Sequence, residues 1–134
     1  MNTPLVLLLG GYGGAGQPIA RLLLKHTDTQ LIIAGRNADR ATGFAAELNS
    51  EFPGDRVSAR AVDAADPIAL QNSLSGVDLL LVCAPLTLLA GQIARSALAA
   101  GVDYLDIYYP QRVVPVMQAF APEIEASGRC FIYQ

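Results

Sequence analysis

Leu5-Val6-Leu7-Leu8-Leu9-Gly10-Gly11-Tyr12-Gly13-Gly14-Ala15-Gly16, running on into Gln17-Pro18-Ile19-Ala20-Arg21-Leu22-Leu23-Leu24, is the stretch on which the fold turns. A solid apolar run, a glycine-rich turn and a helical apolar pattern follow one another without a gap. That order is the opening of a dinucleotide-binding βαβ unit. The frame that fits is Gly11-x-Gly13-x-x-Gly16. Gly11 would allow the tight turn off the strand, where a Cβ would clash. Gly13 would let the backbone approach a pyrophosphate, and Gly16 would let the new helix pack against the sheet. Tyr12, Gly14 and Ala15 complete the loop. The unpaired N–H groups and positive dipole end of the helix would face the phosphates. The competing reading is a βα turn whose glycines serve packing only, and the strand–turn–helix context argues against it.

Strand-like runs recur downstream at Leu31–Ala34, Val57–Val62, Asp78–Cys83, Tyr104–Ile107 and Cys130–Tyr133. The runs at Leu5, Leu31 and Asp78 are near-continuous in Leu, Ile and Val, as parallel strands covered on both faces require. Helical patterns fill the intervals. Ile19, Leu22, Leu23 and His26 are spaced to share one face, with Pro18 in the first turn. His26 is expected to meet the carbonyls at that helix's end. Ala41, Phe44, Ala45 and Leu48 repeat the spacing behind Asn37 as N-cap. Asp66-Pro67 opens a short helix to Leu74, with Gly76 as its stop. Thr87 is expected to cap a helix that runs to Ala100 and closes at Gly101. Gln111 to Ser127 reads as helix broken at Pro122, ending at Gly128. Six strands joined by such crossovers predict an α/β, doubly wound parallel sheet in the order 3-2-1-4-5-6, a three-layer α/β/α arrangement of the Rossmann type. A ligand would bind at the carboxyl ends, near the switch between strands 1 and 4.

Composition narrows the function classes. The chain has 134 residues, enough for one domain with a real core, and is 52% hydrophobic against 16% charged. A net charge of −3 offers no basic field for nucleic acid. No apolar stretch has the length of a membrane span, and the opening run lacks the features of a secretory signal. Cys83 and Cys130 both fall in apolar runs and read as buried reduced thiols in a cytoplasmic protein, with no metal spacing.

The second strand chooses the nucleotide. An NAD site places a carboxylate at its end to hold the ribose 2′-OH. Here the strand ends Ile33-Ala34-Gly35-Arg36-Asn37. Gly35 leaves room and Arg36 supplies a planar cation able to hold a 2′-phosphate. Arg40, one turn on, could add a second charge. Simple solvation of a helix N-terminus is the competing role for Arg36, and the dipole opposes a cation there. NADP is therefore favoured over NAD. Asp63, after the third strand, could accept from the adenine amino group or serve as a cap. Cys83-Ala84-Pro85 are small enough to pass close to the ribose and nicotinamide. Cys83 reads as a packing thiol, since no second histidine is present to act as its base.

These motifs together resemble the NADP-binding domain of saccharopine dehydrogenase-like oxidoreductases. The matching stretches are Val6–Leu24 (VLLLGGYGGAGQPIARLLL), Leu31–Asn37 (LIIAGRN), Arg60–Pro67 (RAVDAADP), Gly76–Pro85 (GVDLLLVCAP) and Ala94–Ile107 (ARSALAAGVDYLDI). The resemblance implies NADP as cofactor and hydride transfer to an imine or activated carbonyl. It carries Gly11, Gly13, Gly16, Arg36 and Ala84 over as cofactor contacts, and Asp63 less directly. The candidate cofactor-binding set is thus Gly11, Tyr12, Gly13, Gly14, Ala15, Gly16, Arg36, Asn37, Arg40, Asp63, Ala84 and Pro85, with no catalytic residue and no metal assigned. The chain departs from the family at Asp106-Ile107-Tyr108-Tyr109-Pro110, where members often carry a small polar turn with Gly and an acid. Members also continue into a second α/β domain that helps bind substrate and often pairs subunits. Residues 1–134 are therefore expected to be the nucleotide-binding part of a longer protein, its small-molecule substrate held largely by that second domain, with a homodimer as one arrangement. Tyr108 and Tyr109 would then be packing or interface residues. A regulatory or redox-sensing NADP module is the alternative function. A short-chain dehydrogenase is excluded on its own signature: no Tyr-x-x-x-Lys exists, since Tyr108 is followed by Arg112 and the one lysine is Lys25.

Overall fold

The computed structural model describes residues 3–107 and 110–133. Six parallel strands form one sheet: β1 (Leu5–Leu9), β2 (Gln30–Gly35), β3 (Val57–Ala61), β4 (Leu79–Val82), β5 (Asp103–Asp106) and β6 (Phe131–Ile132). Their order is β3-β2-β1-β4-β5-β6, as the crossover lengths predict. β1 lies in the middle, with Leu7 opposite Ile32 on one side and Leu80 on the other. Such a strand has no wet face, which is why it reads as an unbroken apolar run.

The pleat divides those apolar residues between two cores. Leu7, Leu9, Ile32, Leu80 and Val82 point to one face. They meet α3 (Pro67–Ser73), α4 (Ala90–Ala100) and α5 (Pro110–Gln118) through Leu70, Ile93, Ala97, Val113 and Met117. Val6, Leu8, Leu31, Ile33 and Leu81 point to the other. There they meet α1 (Gly16–His26) and α2 (Ala38–Glu51) through Ala20, Leu24, Phe44 and Leu48. A last helix, α6 (Ala121–Ser127), precedes β6.

Several local expectations hold. The Asn37 side chain accepts from the Arg40 N–H at 3.0 Å, and Asp66 accepts from the Ala69 N–H at 3.1 Å, so both cap their helices. Gly101 and Gly128 end α4 and α6 in the left-handed region, each with φ 69°. The region after β5 divides into two helices as Pro122 suggests, with Pro115 inside α5 besides.

Others need correction. The buried face of α1 is Gly16, Ala20 and Leu24, flanked by Ile19 and Leu23, whereas Leu22 is 57% exposed and His26 lies in solvent. The small residues face inward because the helix runs close over the sheet, and the large ones at its margin look equally periodic in sequence. His26 does not hold the helix's last carbonyls. Arg56 donates to the Leu24 and Thr27 oxygens, and the Thr27 hydroxyl donates to Leu23 O. Thr87 is no cap: Thr87–Leu89 is a 3-10 turn, and Leu89 precedes α4 without a side-chain cap. Cys83 is buried but Cys130 is exposed, because β6 begins one residue later at the sheet's edge. Tyr108 and Tyr109 lie outside the described residues. Among those described, no helix is long and apolar enough to cross a membrane.

Candidate nucleotide-binding site

The turn between β1 and α1 is built by close approach. Gly10 sits at φ 80°, and a Cβ there would come within 2.5 Å of the Ala84 Cβ. Glycine is required on both counts. Ala84, expected to be small for the cofactor's sake, is also small for Gly10. A Cβ on Gly16 would lie 2.5 Å from Gly10 O and 2.6 Å from the Gly11 Cα, so this glycine lets the helix start against the turn itself rather than against the sheet. Gly11 is close-set as well: a Cβ would lie 3.0 Å from Leu8 atoms and 3.2 Å from Ile33 Cδ1, so its neighbours would have to give by a few tenths of an ångström, and its N–H bonds to Leu8 O.

The polar consequence is a row of donors. Gly10 N–H goes to Ala34 O and Gly13 N–H to Gly10 O. Among the described residues, no acceptor takes the N–H groups of Tyr12, Gly14, Ala15 or Gly16. Ala15, the N-cap, has no side chain to cap with, and the first turn of α1 carries no acid. An uncapped helix start preceded by free turn N–H groups suits an anion.

A cleft of about 620 Å³ opens above this turn at the carboxyl ends of β1 to β4. Tyr12, Gly13, Gly14 and Ala15 form its floor. Arg36 follows β2, Asp63 follows β3, and Cys83, Ala84 and Pro85 follow β4. Gly11 and Gly16 lie beneath the floor and shape it without lining it. Asn37 and Arg40 stand outside, on the α2 side. The structure adds Leu9, Gly10, Val62, Ala64, Ala65, Leu86 and Leu89 to the walls. Sequence could have offered Gly10, as the first glycine past the strand. The apolar wall from Leu86 and Leu89 comes from a 3-10 turn that no periodicity announced.

The charges are sparse. Among the described residues the ion pairs are Arg21 with Glu47 and Glu51, and Arg129 with Asp103, so neither Arg36 nor Arg40 is neutralised by an acid. Asp63 accepts the Ala65 N–H at 2.9 Å and shapes the loop after β3. Asp66, not Asp63, caps α3. Gly35 leaves room, as read from sequence, but the Tyr12 ring fills it: a Cβ on Gly35 would come within 2.5 Å of the ring. The Tyr12 hydroxyl accepts the Asn37 N–H at 3.0 Å, and the Arg40 guanidinium lies 4.6 Å from the ring centre. Burial pushes the Cys83 thiol up to about 12, so it stays protonated at neutral pH. Among the described residues, no group of three metal-ligating side chains gathers anywhere.

A doubly wound sheet with glycine turn, uncapped helix start and cationic β2 end defines a Rossmann dinucleotide-binding domain. The chain belongs to the saccharopine dehydrogenase NADP binding domain family, whose model matches residues 6–132, and its cofactor is NADP. It resembles the apo saccharopine dehydrogenase (L-Glu forming) of Saccharomyces cerevisiae, with TM-score 0.78 and 25% identity over 96% of this chain and 26% of that one. The fold also matches a Citrobacter sp. triphenylmethane reductase complexed with NADP(H), with TM-score 0.70 and 23% identity over 94% of this chain and 47% of that one. A curated relative is the pikromycin polyketide synthase component PikAIII of Streptomyces venezuelae, 33% identical over 116 residues. That match takes in 85% of this chain but 7% of the relative. The chain thus spans less than half of each of these longer proteins.

Proposed function

We propose that this chain positions NADP(H) for hydride transfer in an oxidoreductase whose substrate is held largely by a further domain. The nicotinamide would lie toward Ala84 and Pro85, the pyrophosphate over Gly13 to Ala15, and the 2′-phosphate beside Arg36 at the cleft's α2 rim, where Arg40 over the Tyr12 ring would add a second charge. The single observation that carries this reading is the cleft's asymmetry: N–H donors and an arginine without partners among the described residues at one end, apolar walls at the other. The cofactor, when bound, supplies the hydride. The chain's residues bind and orient it, and Leu86 and Leu89 keep water from its reacting end. Cys83, the one ionisable side chain at that end among the described residues, is held protonated by burial. A proton for an imine or carbonyl substrate therefore comes from outside these residues, which agrees with a substrate domain elsewhere.

Calorimetry with NADPH and NADH tests the assignment. NADPH is expected to bind more tightly, and Arg36→Asp to weaken NADPH by tenfold or more, on the order of the loss of one charge-assisted contact, while sparing NADH. Equal binding of the two cofactors, or NADPH affinity unchanged by the substitution, would remove Arg36 from the site. Turnover of NADPH by a protein carrying both domains separates the enzyme from the regulatory module.

A further inference from the structure

Arg40 sits in an awkward place for a cation. It belongs to the first turn of α2, where the helix dipole disfavours positive charge, and no acid holds it among the described residues. Its guanidinium instead lies over the Tyr12 ring. Tyr12 in turn is anchored at three points. Its ring fills the space above Gly35, its hydroxyl accepts the Asn37 N–H, and its carbonyl accepts from the Gln17 side chain at 2.9 Å. One side chain thus spans from the phosphate-facing turn to the junction of β2 and α2.

We propose that Tyr12 is the positioning residue for NADP preference, acting as a shelf for Arg40 and a latch on the Asn37 peptide. The proposal rests on the reading that Arg36 and Arg40 meet the 2′-phosphate. An arginine side chain left loose would lose rotamer freedom on meeting that phosphate. Stacked on a fixed ring, it has lost much of that freedom beforehand, while its N–H edges remain available. Gly35 is needed because any larger residue would displace the ring and with it the arginine.

The test uses 2′,5′-ADP and 5′-AMP as probes, which differ only in the 2′-phosphate. Their affinities are measured by calorimetry for the unaltered chain, Tyr12→Leu, Tyr12→Phe, Arg40→Ala and the Tyr12→Leu/Arg40→Ala double variant. Tyr12→Leu is expected to lower the preference for 2′,5′-ADP by about three- to fivefold, with 5′-AMP affinity held within twofold. Tyr12→Phe keeps the shelf but loses the latch, which acts on Arg40 as well by holding Asn37, the cap of the turn that carries it, and is expected to lose about twofold. The double variant should lose no more preference than Arg40→Ala alone, because the tyrosine acts through the arginine. An unchanged preference in Tyr12→Leu, or in Tyr12→Phe should the leucine variant fail to fold, overturns the proposal, as do losses that multiply in the double variant. If the unaltered chain does not prefer 2′,5′-ADP, or Arg40→Ala leaves the preference intact, the placement of the 2′-phosphate itself is wrong. A preference that depends on Arg40 but not on Tyr12 leaves that placement standing and overturns only the role given to Tyr12.

Discussion

Burial raises the Cys83 thiol to about 12, while Cys130 lies exposed at the sheet's edge. The ionised form is the reactive one. A disulfide reagent at pH 8 should therefore modify Cys130 promptly and Cys83 only when denaturant is added. Two equally fast thiols would show that the cleft end of β4 is open. The same shift has a signed effect on stability. With its folded value raised, Cys83 contributes fully below its unfolded value of about 8.5 and loses that contribution as pH climbs toward 12. Both cysteines fall in apolar runs, Cys83 closing one and Cys130 opening another. What separates them is that one strand is central and the other marginal. Glycines behave similarly. Gly11, Gly13 and Gly16 were legible by spacing, but the needs of Gly10 and Gly35 are set by Ala84 and Tyr12, residues distant along the chain.

Helix packing shows where pattern is informative and where it is not. Asn37 and Asp66 cap as read, because capping is decided within four residues. The buried face of α1 departs from the apolar spacing because two of its three inward residues, Gly16 and Ala20, are small, and only Leu24 is a large apolar side chain. Arg56 replaces His26 at the end of α1 for the same reason, since a side chain before β3 can reach it only once the sheet forms. On the outside, Arg21 of α1 bonds Glu47 and Glu51 of α2. The Arg21 hydrogen bond holds the Glu51 carboxyl below its ordinary value. A depressed folded value means stability that is present above the unfolded value and lost as pH falls through the folded one. Glu51→Gln should therefore lower the melting temperature slightly at pH 7, and the difference should vanish in acid below the usual carboxylate range. High salt should shrink it too, since the pair is exposed. A difference that persists at pH 2 would assign the effect to something other than charge.

At the scale of the whole chain, NADP binding and folding are linked, because the cleft exists only where four strand ends converge. NADPH at a hundred times its dissociation constant should stabilise the folded state by about 2.7 kcal/mol, and NADH at the same concentration by less. Thermal melts with each cofactor check this, and equal shifts would contradict the 2′-phosphate assignment. The sequence by itself determined the architecture: apolar runs of strand length, crossovers of helix length and one glycine frame leave a single sensible winding of the sheet. It also marked Arg36 as a cation where an NAD site would carry an acid. Only the tertiary structure decided how the turn is held shut by Ala84, which walls enclose the cleft, and that Tyr12 rather than open space lies over Gly35. Local patterns are written within a few residues, whereas these contacts join the ends of separate strands, and distance along the chain carries no record of them.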